Sequence, residues 1–493
     1  MSEVADTSSS PGRAALPAIA MLAVALASAL VLTLSGCASS AGIAAASKAL
    51  QPASLMDADA SVAVAPVAAD WWQAFGDAQL SSLIDRALAG SPNLKAAQAR
   101  LVRAQANADL AGTTDGLQVN GSLDVTRQRF TANGLYPPPL AGGTYNTGTL
   151  QLGASWEFDF FGRNRSVLEA AIGAQRAAQA DMQAARVLLA SNVARSYVQL
   201  ARLIEQRGVA QRSLAQRDET LSLIRQRVQA GLDTKVELSQ GEGALPETRA
   251  QIEALNEQIS LARHALAALT AQAPQALDQL SPQLQAVQAV PLPANVPVDL
   301  LGRRADISAA RWRVEAATSD VAAARAQFYP NINLTAFAGL SSIGLDRLFK
   351  SGSEQYGAGP AIRLPIFDAG RLRANLRGKS ADLDLAVETY NGALIDAVRD
   401  VADQISSLQS ITRQQTEQDA AQASAETAYE LALQRYKAGL GTYLTVLTAE
   451  SGVLNQRRAA TDLKARALDT QVALIRSLGG GYSDDATRTA AAH

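Results

Sequence analysis

The sequence predicts a mainly α-helical chain that carries a small membrane-type β element and is written as a tandem repeat. Three observations carry this. The chain has no proline between Gly162 and Gly231, and none again between Gly370 and Gly439. Landmarks recur at one offset: Phe161-Gly162-Arg163 matches Ala369-Gly370-Arg371, and the run from Gln226 to Leu232 (QRVQAGL) matches that from Gln434 to Leu440 (QRYKAGL), 208 positions on. Short runs of strictly alternating apolar and polar residues interrupt the helical stretches.

The helices come first. A proline-free stretch the length of 162–231 would be ~100 Å long as one α-helix. Small or apolar residues recur at Val167, Ala171, Ala174, Ala178, Ala185, Leu189, Val193, Tyr197, Leu200 and Ile204, at coiled-coil spacings. The knobs are largely alanine, which brings helix axes close, and such a helix needs neighbours. Return helices are expected over 234–271 and 442–478, with Pro246 a candidate kink. Gly231 and Gly439 fit helix C-termini in the left-handed conformation.

Each unit therefore reads helix, two strands, very long helix, turn, return helix. The first repeat is assigned to 70–275, with its strand pair near 116–160 and its long helix near 162–231. The second is assigned to 303–478, with strands near 329–367 and a long helix near 370–439. A linker, 276–302, joins them, and 479–493 reads as a disordered tail. The Ala-rich helix around Asn93–Leu110 pairs with Ala305–Ala326 at a slightly larger offset.

In the first strand pair, Leu117, Val119, Leu123 and Val125 alternate with Gln118, Asn120, Ser122 and Asp124, and Leu150, Leu152, Ala154, Trp156 and Phe158 alternate likewise. A period of two means one apolar and one polar face. A second, weaker pair covers Ile332–Leu340 and Tyr356–Phe367. A soluble sandwich edge is one reading. The other is an outer-membrane barrel: four strands are too few to close one in a single chain, but several chains could share it.

The N-terminus reads as a targeting segment over 1–36. Arg13 precedes an apolar stretch, Leu16 to Leu34, that ends in Leu34-Ser35-Gly36-Cys37. This ending resembles the bacterial lipobox, which implies lipidation of Cys37 and a lipid-anchored flexible tether over 37–69. A transmembrane anchor and a signal cut elsewhere are the alternatives. Cys37 is the one cysteine of the chain, and an Ala/Ser-rich stretch follows it. Ala38 and Ser39 stand where an Asp would mark inner-membrane retention, so sorting to the outer membrane is expected.

Composition narrows function. Aromatic residues are only 5% of a chain that is 48% hydrophobic, so thin alanine-rich interfaces are expected in place of one aromatic core. The formal net charge is −2 with no basic stripe, which disfavours nucleic acid. A single cysteine and two histidines, His264 and His493, disfavour a metal site or nucleophilic triad. No cofactor is expected. His264 reads as a surface residue, and Arg202, Arg207, Arg212 and Arg217 as solvated faces or inter-helix pairs.

Several motifs then resemble one family. Asp70-Trp71-Trp72-Gln73-Ala74-Phe75-Gly76-Asp77, followed by Pro92-Asn93-Leu94, resembles the opening of TolC-like outer membrane efflux proteins, and more narrowly the lipid-anchored NodT/OprM-like branch. Arg303-Arg304-Ala305-Asp306-Ile307 resembles that branch's mid-chain signature, Phe328-Tyr329-Pro330-Asn331-Ile332 its entry to the third strand, and Arg435-Tyr436-Lys437-Ala438-Gly439 its second tip turn. The resemblance covers nearly everything from Cys37 to Leu478. It implies a homotrimer with a twelve-stranded barrel in outer membrane lipid, four strands from each chain, continuing into a periplasmic α-helical barrel. It also implies a periplasmic adaptor (membrane fusion) protein and an inner-membrane pump, commonly of the resistance-nodulation-division type.

The resemblance places the adaptor at the turns Gly231, Leu232, Gly439, Leu440 and Gly441. It matches the gate tyrosine to Tyr436 and the acid of the first tip turn to Glu237. The sequence departs from the pattern where two carboxylates of the mouth become Thr445 and Thr448, and where the gating arginine becomes Gly441. An acidic ring would then come from Glu237, Asp233 or Glu450. Ala305 and Arg311 stand where proline and glutamate are usual. The leading function is a passive exit duct for drugs or other small solutes. A duct for secreted protein and a poreless coiled-coil scaffold are the alternatives, and an enzyme is the weakest reading.

Overall fold

The computed structural model describes residues 39–51, 67–289 and 304–482. Cys37, the targeting segment and most of the C-terminal tail lie outside them. The chain forms two compact units. One takes in the arm up to Ser47 with Gln105–Gly173 and Val314–Ala386. The other takes in Lys48–Ala104, Ala174–Arg313 and the chain from Val387 onward.

The elements follow the repeat. Helices α1 (Ala78–Gly90) and α2 (Pro92–Gly112) lead to strands β1 (Gln118–Arg129) and β2 (Thr144–Phe158). Long helix α3 (Arg163–Gln229) and return helix α4 (Lys235–Leu269) complete the first unit of the repeat. The second runs α5 (Ala305–Ala326), β3 (Asn331–Ile343), β4 (Glu354–Arg363), α6 (Arg371–Lys437) and α7 (Tyr443–Ser477). Helices α3 and α6 are each 67 residues, and α4 and α7 each 35. Pro246 lies inside α4, which runs on through it. Strand β4 ends before Phe367: Pro365 cannot donate to a ladder.

The strands form one antiparallel sheet in the order β1-β2-β3-β4. Its register explains the alternation. Val119 pairs with Ala154, Leu123 with Leu150, Leu152 with Ala338, Leu334 with Trp156 and Ile332 with Ile362. These residues all share one face. Gln118, Asn120, Ser122, Gln151, Ser155, Asn333, Thr335 and Gln355 share the other. Leu117, Val119 and Leu123 are each more than 60% exposed on the apolar face. Neither face is covered by a second sheet among the described residues, so this is no sandwich half.

The larger core lies in the compact unit that holds Lys48–Ala104. Trp71, Trp72 and Phe75 pack with Leu80, Ile84, Val193, Tyr197 and Leu200. Asp77 explains the motif around them. One of its oxygens caps α1, accepting from Gln79 and Leu80 N–H at 2.8 and 3.1 Å. The other accepts from the Tyr197 hydroxyl at 2.7 Å.

Four readings of the sequence need correction. The tether is not free over 39–51: Asp384 accepts from the N–H groups of Ala46 and Ser47 at 2.8 and 2.7 Å, Arg373 bonds the Ser39 carbonyl, and Asn391 both accepts from Leu50 N–H and donates to Lys48 O. The start of the linker is core, because Leu277, Leu284 and Val287 are buried with the Trp-Trp turn and Gln288 N–H donates to Phe75 O. Residues Gly479 and Gly480, assigned to the tail, are buried and close α7. The seam of α3 follows the predicted stripe at Val193, Tyr197 and Leu200, which are buried, but its first stretch lies one position off: Ala170, Ala177 and Ala180 are buried with Gly173 while Val167 is 42% exposed. At Gly173 an added Cβ would lie 3.0 Å from the Ala316 Cβ, so approach at glycine sets the seam.

Candidate functional site: the helical tips and the two-faced sheet

Each long helix ends in the same turn. Gly231 (φ 71°) and Gly439 (φ 78°) adopt the left-handed conformation. Leu232 N–H donates to Arg227 O and Leu440 N–H to Arg435 O, both at 2.8 Å, while Gly231 and Gly439 donate to Val228 and Tyr436 carbonyls. This is the glycine-closed C-cap that satisfies the last carbonyls of a helix. It leaves Leu232 and Leu440 at the tips, 65% and 70% exposed.

The structure brings three of the tip side chains together. Tyr436 is fully buried, and its hydroxyl donates to Asp233 Oδ2 at 2.5 Å. Arg227 forks onto Asp233, Nε–Oδ2 2.9 Å and Nη2–Oδ1 3.2 Å. Its guanidinium lies 4.6 Å from the centroid of the Tyr436 ring and donates to the Tyr436 carbonyl at 3.2 Å. Burial works to raise the Asp233 pKa, but the hydrogen bonds from Arg227 and Tyr436 outweigh it and hold the carboxyl below its ordinary value. Burial, then the Asp233 hydrogen bond, pushes the Tyr436 phenol well above its ordinary range.

The other candidate residues do not join them. Glu237 closes a capping box on α4: its carboxylate accepts from Thr234 N–H at 2.9 Å while the Thr234 hydroxyl accepts from Val236 N–H. That hydrogen bonding keeps the exposed Glu237 ionised below its usual range. Thr445 and Thr448 are exposed on α7, with hydroxyls bonded to Thr442 and to the Leu444 carbonyl. Gly441 brings no side chain, and the guanidinium that meets Tyr436 is that of Arg227 on α3. Glu450 is not available to an acidic ring. It is 6% exposed and meets Arg217 at 2.9 Å, with Ser213 donating to the same oxygen at 3.2 Å. Arg217 also binds Ala244 O and Thr248 Oγ1, so one buried cluster joins α3, α4 and α7.

The sheet carries a membrane signature that sequence reading had only in part. Where β2 passes into α3, the rings of Trp156, Phe158 and Phe160 follow one another in tilted contact at 4.4 and 5.8 Å, and Phe161 lies parallel to Tyr329 at 4.8 Å. Phe160, Phe161, Tyr329 and Phe367 are all exposed. An exposed aromatic band at the end of an apolar-outward sheet is the girdle of a transmembrane β-barrel. Among the described residues no helix is long and apolar enough to cross a membrane, and no group of His, Cys, Asp and Glu is placed to hold a metal ion.

An apolar-out, polar-in sheet with open edges and paired long helices ending in glycine-closed tips define an outer-membrane channel of the mixed barrel-and-helix kind. The chain belongs to the outer membrane efflux protein family, whose pattern it matches twice, over residues 83–287 and 296–480. It is 35% identical over 420 residues to the multidrug resistance outer membrane protein MdtQ of Escherichia coli, covering 84% of this chain and 88% of that one. The outer membrane protein VceC of Vibrio cholerae is 38% identical, with a TM-score of 0.80 over 84% of this chain and all of the other. The open-state MtrE channel of Neisseria gonorrhoeae is 27% identical, with a TM-score of 0.78 over 89% of this chain and 98% of the other. The protein is thus an efflux channel of the outer membrane that extends into the periplasm, and it is not an enzyme.

Proposed function

We propose that three copies of this chain form one passive exit duct for drugs and other small solutes in a tripartite efflux system. The observation that carries this reading is the sheet: its apolar face is exposed along all four strands, and β1 and β4 are open edges. A long, apolar, open edge in water is an aggregation site. In lipid, each edge must be paired, and joining β1 of one copy to β4 of the next closes twelve strands around a polar bore.

The sequence relatives MdtQ and MdtP of Escherichia coli are called multidrug resistance proteins, which supports the same class of cargo here. Lipidation at Cys37 would hold the chain in the outer membrane, with the arm 39–51 fastened to α6. The exposed Leu232 and Leu440 at the glycine turns, with Gly441 beside them, offer an apolar foothold to a periplasmic adaptor. That adaptor would link the duct to an inner-membrane pump of the resistance-nodulation-division type. Tyr436, Asp233 and Arg227 form the latch that keeps the mouth shut. Glu237, and not Thr445 or Thr448, contributes the exposed tip charge.

The test is purification from outer membranes and reconstitution in planar bilayers. A heat-modifiable trimer with discrete conductance steps is expected. A monomer that gives no conductance, even with Asp233→Ala to release the latch, would overturn the reading in favour of a poreless scaffold.

A further inference from the structure

The polar face of the sheet carries a phenyl ring near its centre, apart from Tyr145 and Ile343 at one end. Phe337 lies on it, flanked across the strands by Gly153 of β2 and Gly357 of β4. Its ring leans over Gly357: a Cβ there would come within 2.8 Å of Phe337 Cε1 and 3.0 Å of Cζ. Toward Gly153 the space is open, with nothing within 4 Å of where a Cβ would stand. Beyond Gly153 the same row continues to Asn120 of β1. Phe337 remains 40% exposed on a face lined mostly by Gln, Asn, Ser and Thr, with the carboxylates Asp124 and Glu157 among them.

An aromatic side chain laid over a strand glycine supports pairing of the two strands. That accounts for the cover over Gly357. It does not account for the gap on the opposite side, which has a glycine floor, a phenyl wall at Phe337 and an amide at Asn120. A slot of that make fits a planar ring, which gains offset or edge-to-face contact with the phenyl and hydrogen bonding from the amide.

We propose that Phe337, Gly153 and Asn120 form a contact seat for planar aromatic solutes, repeated once per copy around the duct wall. The proposal rests on the reading that the polar face lines an aqueous bore. It makes Phe337 a residue that favours aromatic cargo over aliphatic cargo of equal charge, while the rest of the wall stays indifferent.

The test uses the full chain assembled in lipid nanodiscs, with 4-fluorophenylalanine incorporated at position 337 and observed by fluorine NMR. A water-soluble gadolinium chelate first reports whether the ring faces water. Ethidium is then titrated, with tetraethylammonium as the non-aromatic cation. A saturable shift with ethidium and none with tetraethylammonium is expected. Gly153→Val, which fills the floor, should weaken ethidium by about three- to tenfold, and Asn120→Val is a second variant that leaves both glycines in place. Equal shifts from the two cations, or an ethidium affinity unmoved by both variants, would overturn the proposal. Failure of the chelate to broaden the signal would instead overturn the duct reading, so the two failures are separable.

Discussion

Tyr436, at the foot of the second long helix, donates its hydroxyl to Asp233 at the start of the first return turn, joining the two repeats 203 positions apart at 2.5 Å. Arg227 bonds the same carboxylate and lies over the Tyr436 ring. A hydrogen bond to a charged group contributes about 1.5–3 kcal/mol. Tyr436→Phe removes that bond and leaves the Arg227–Asp233 pair in place. The open fraction in planar bilayers should rise about tenfold. Asp233→Ala should raise it further, since it strands Arg227 as well. Glu237→Gln should not raise it, because that carboxylate is committed to its helix cap.

The same cluster fixes a pH window. Asp233 is held below its ordinary pKa when folded, so its stabilising contribution is complete above the unfolded value, near 3.9, and is lost as pH falls through the folded one. Tyr436 is raised, so its contribution is complete below the unfolded value, near 10, and is lost as pH rises through the folded one. The latch should therefore be flat from about pH 5 to 9. Conductance recorded across that span should not change. A step near pH 6–7 would point to a histidine-like group and contradict the assignment.

Arg217 and Glu450 make the opposite case. Both are nearly enclosed, with 12% and 8% of their side chains exposed. Breaking such a pair by removing one partner costs about 3–5 kcal/mol, because the other charge stays buried. Glu450→Ala should lower the thermal unfolding temperature of the assembled protein, and Arg217→Met with Glu450→Leu should restore most of it. Cation selectivity should be unchanged by Glu450→Gln and reduced by Glu237→Gln, as measured by reversal potentials.

How much of this was legible in the sequence follows from the range of each interaction. The strand faces were readable because side chains alternate regardless of partner, and the tips because glycine twice ends a proline-free run. The pairing of Asp233 with Tyr436 was not readable, since adjacent Glu237 carries the same charge and only the capping box separates their roles. The buried Glu450 looked like a mouth residue because its partner, Arg217, is 233 positions away. The first stretch of the α3 seam, from Ala170 to Ala180, was misplaced by one residue because alanine is frequent on both sides of it, whereas Val193, Tyr197 and Leu200 are buried as read. Only contact with Ala316 selects Gly173. Gly173→Leu should therefore cost about 1–3 kcal/mol by overpacking, which chemical unfolding can measure, whereas Ala174→Leu on the neighbouring exposed position should cost far less.

The arm 39–51 was read as flexible from its alanine and serine content, and that reading failed because the partner supplies the order. Asp384 accepts from two consecutive backbone N–H groups, of Ala46 and Ser47, and Asn391 accepts from Leu50 N–H and donates to the Lys48 carbonyl. Each bond is to backbone, so arm composition leaves no trace of it. Arg373 and the packing of Ile43 hold the start of the arm, but around Lys48 these side chains are the hold, and such a stretch opens locally when they are removed, with no loss of the core. Lys48 then becomes a reporter, because its side chain is exposed while its carbonyl is bonded. In Asp384→Ala with Asn391→Ala, cleavage after Lys48 by a lysine-specific protease should accelerate at least about tenfold, as expected from losing two or more hydrogen bonds of ~1 kcal/mol each. The thermal transition should stay within a few degrees of the parent. Unchanged cleavage in that double variant would mean the arm is held by packing and not by the clasp.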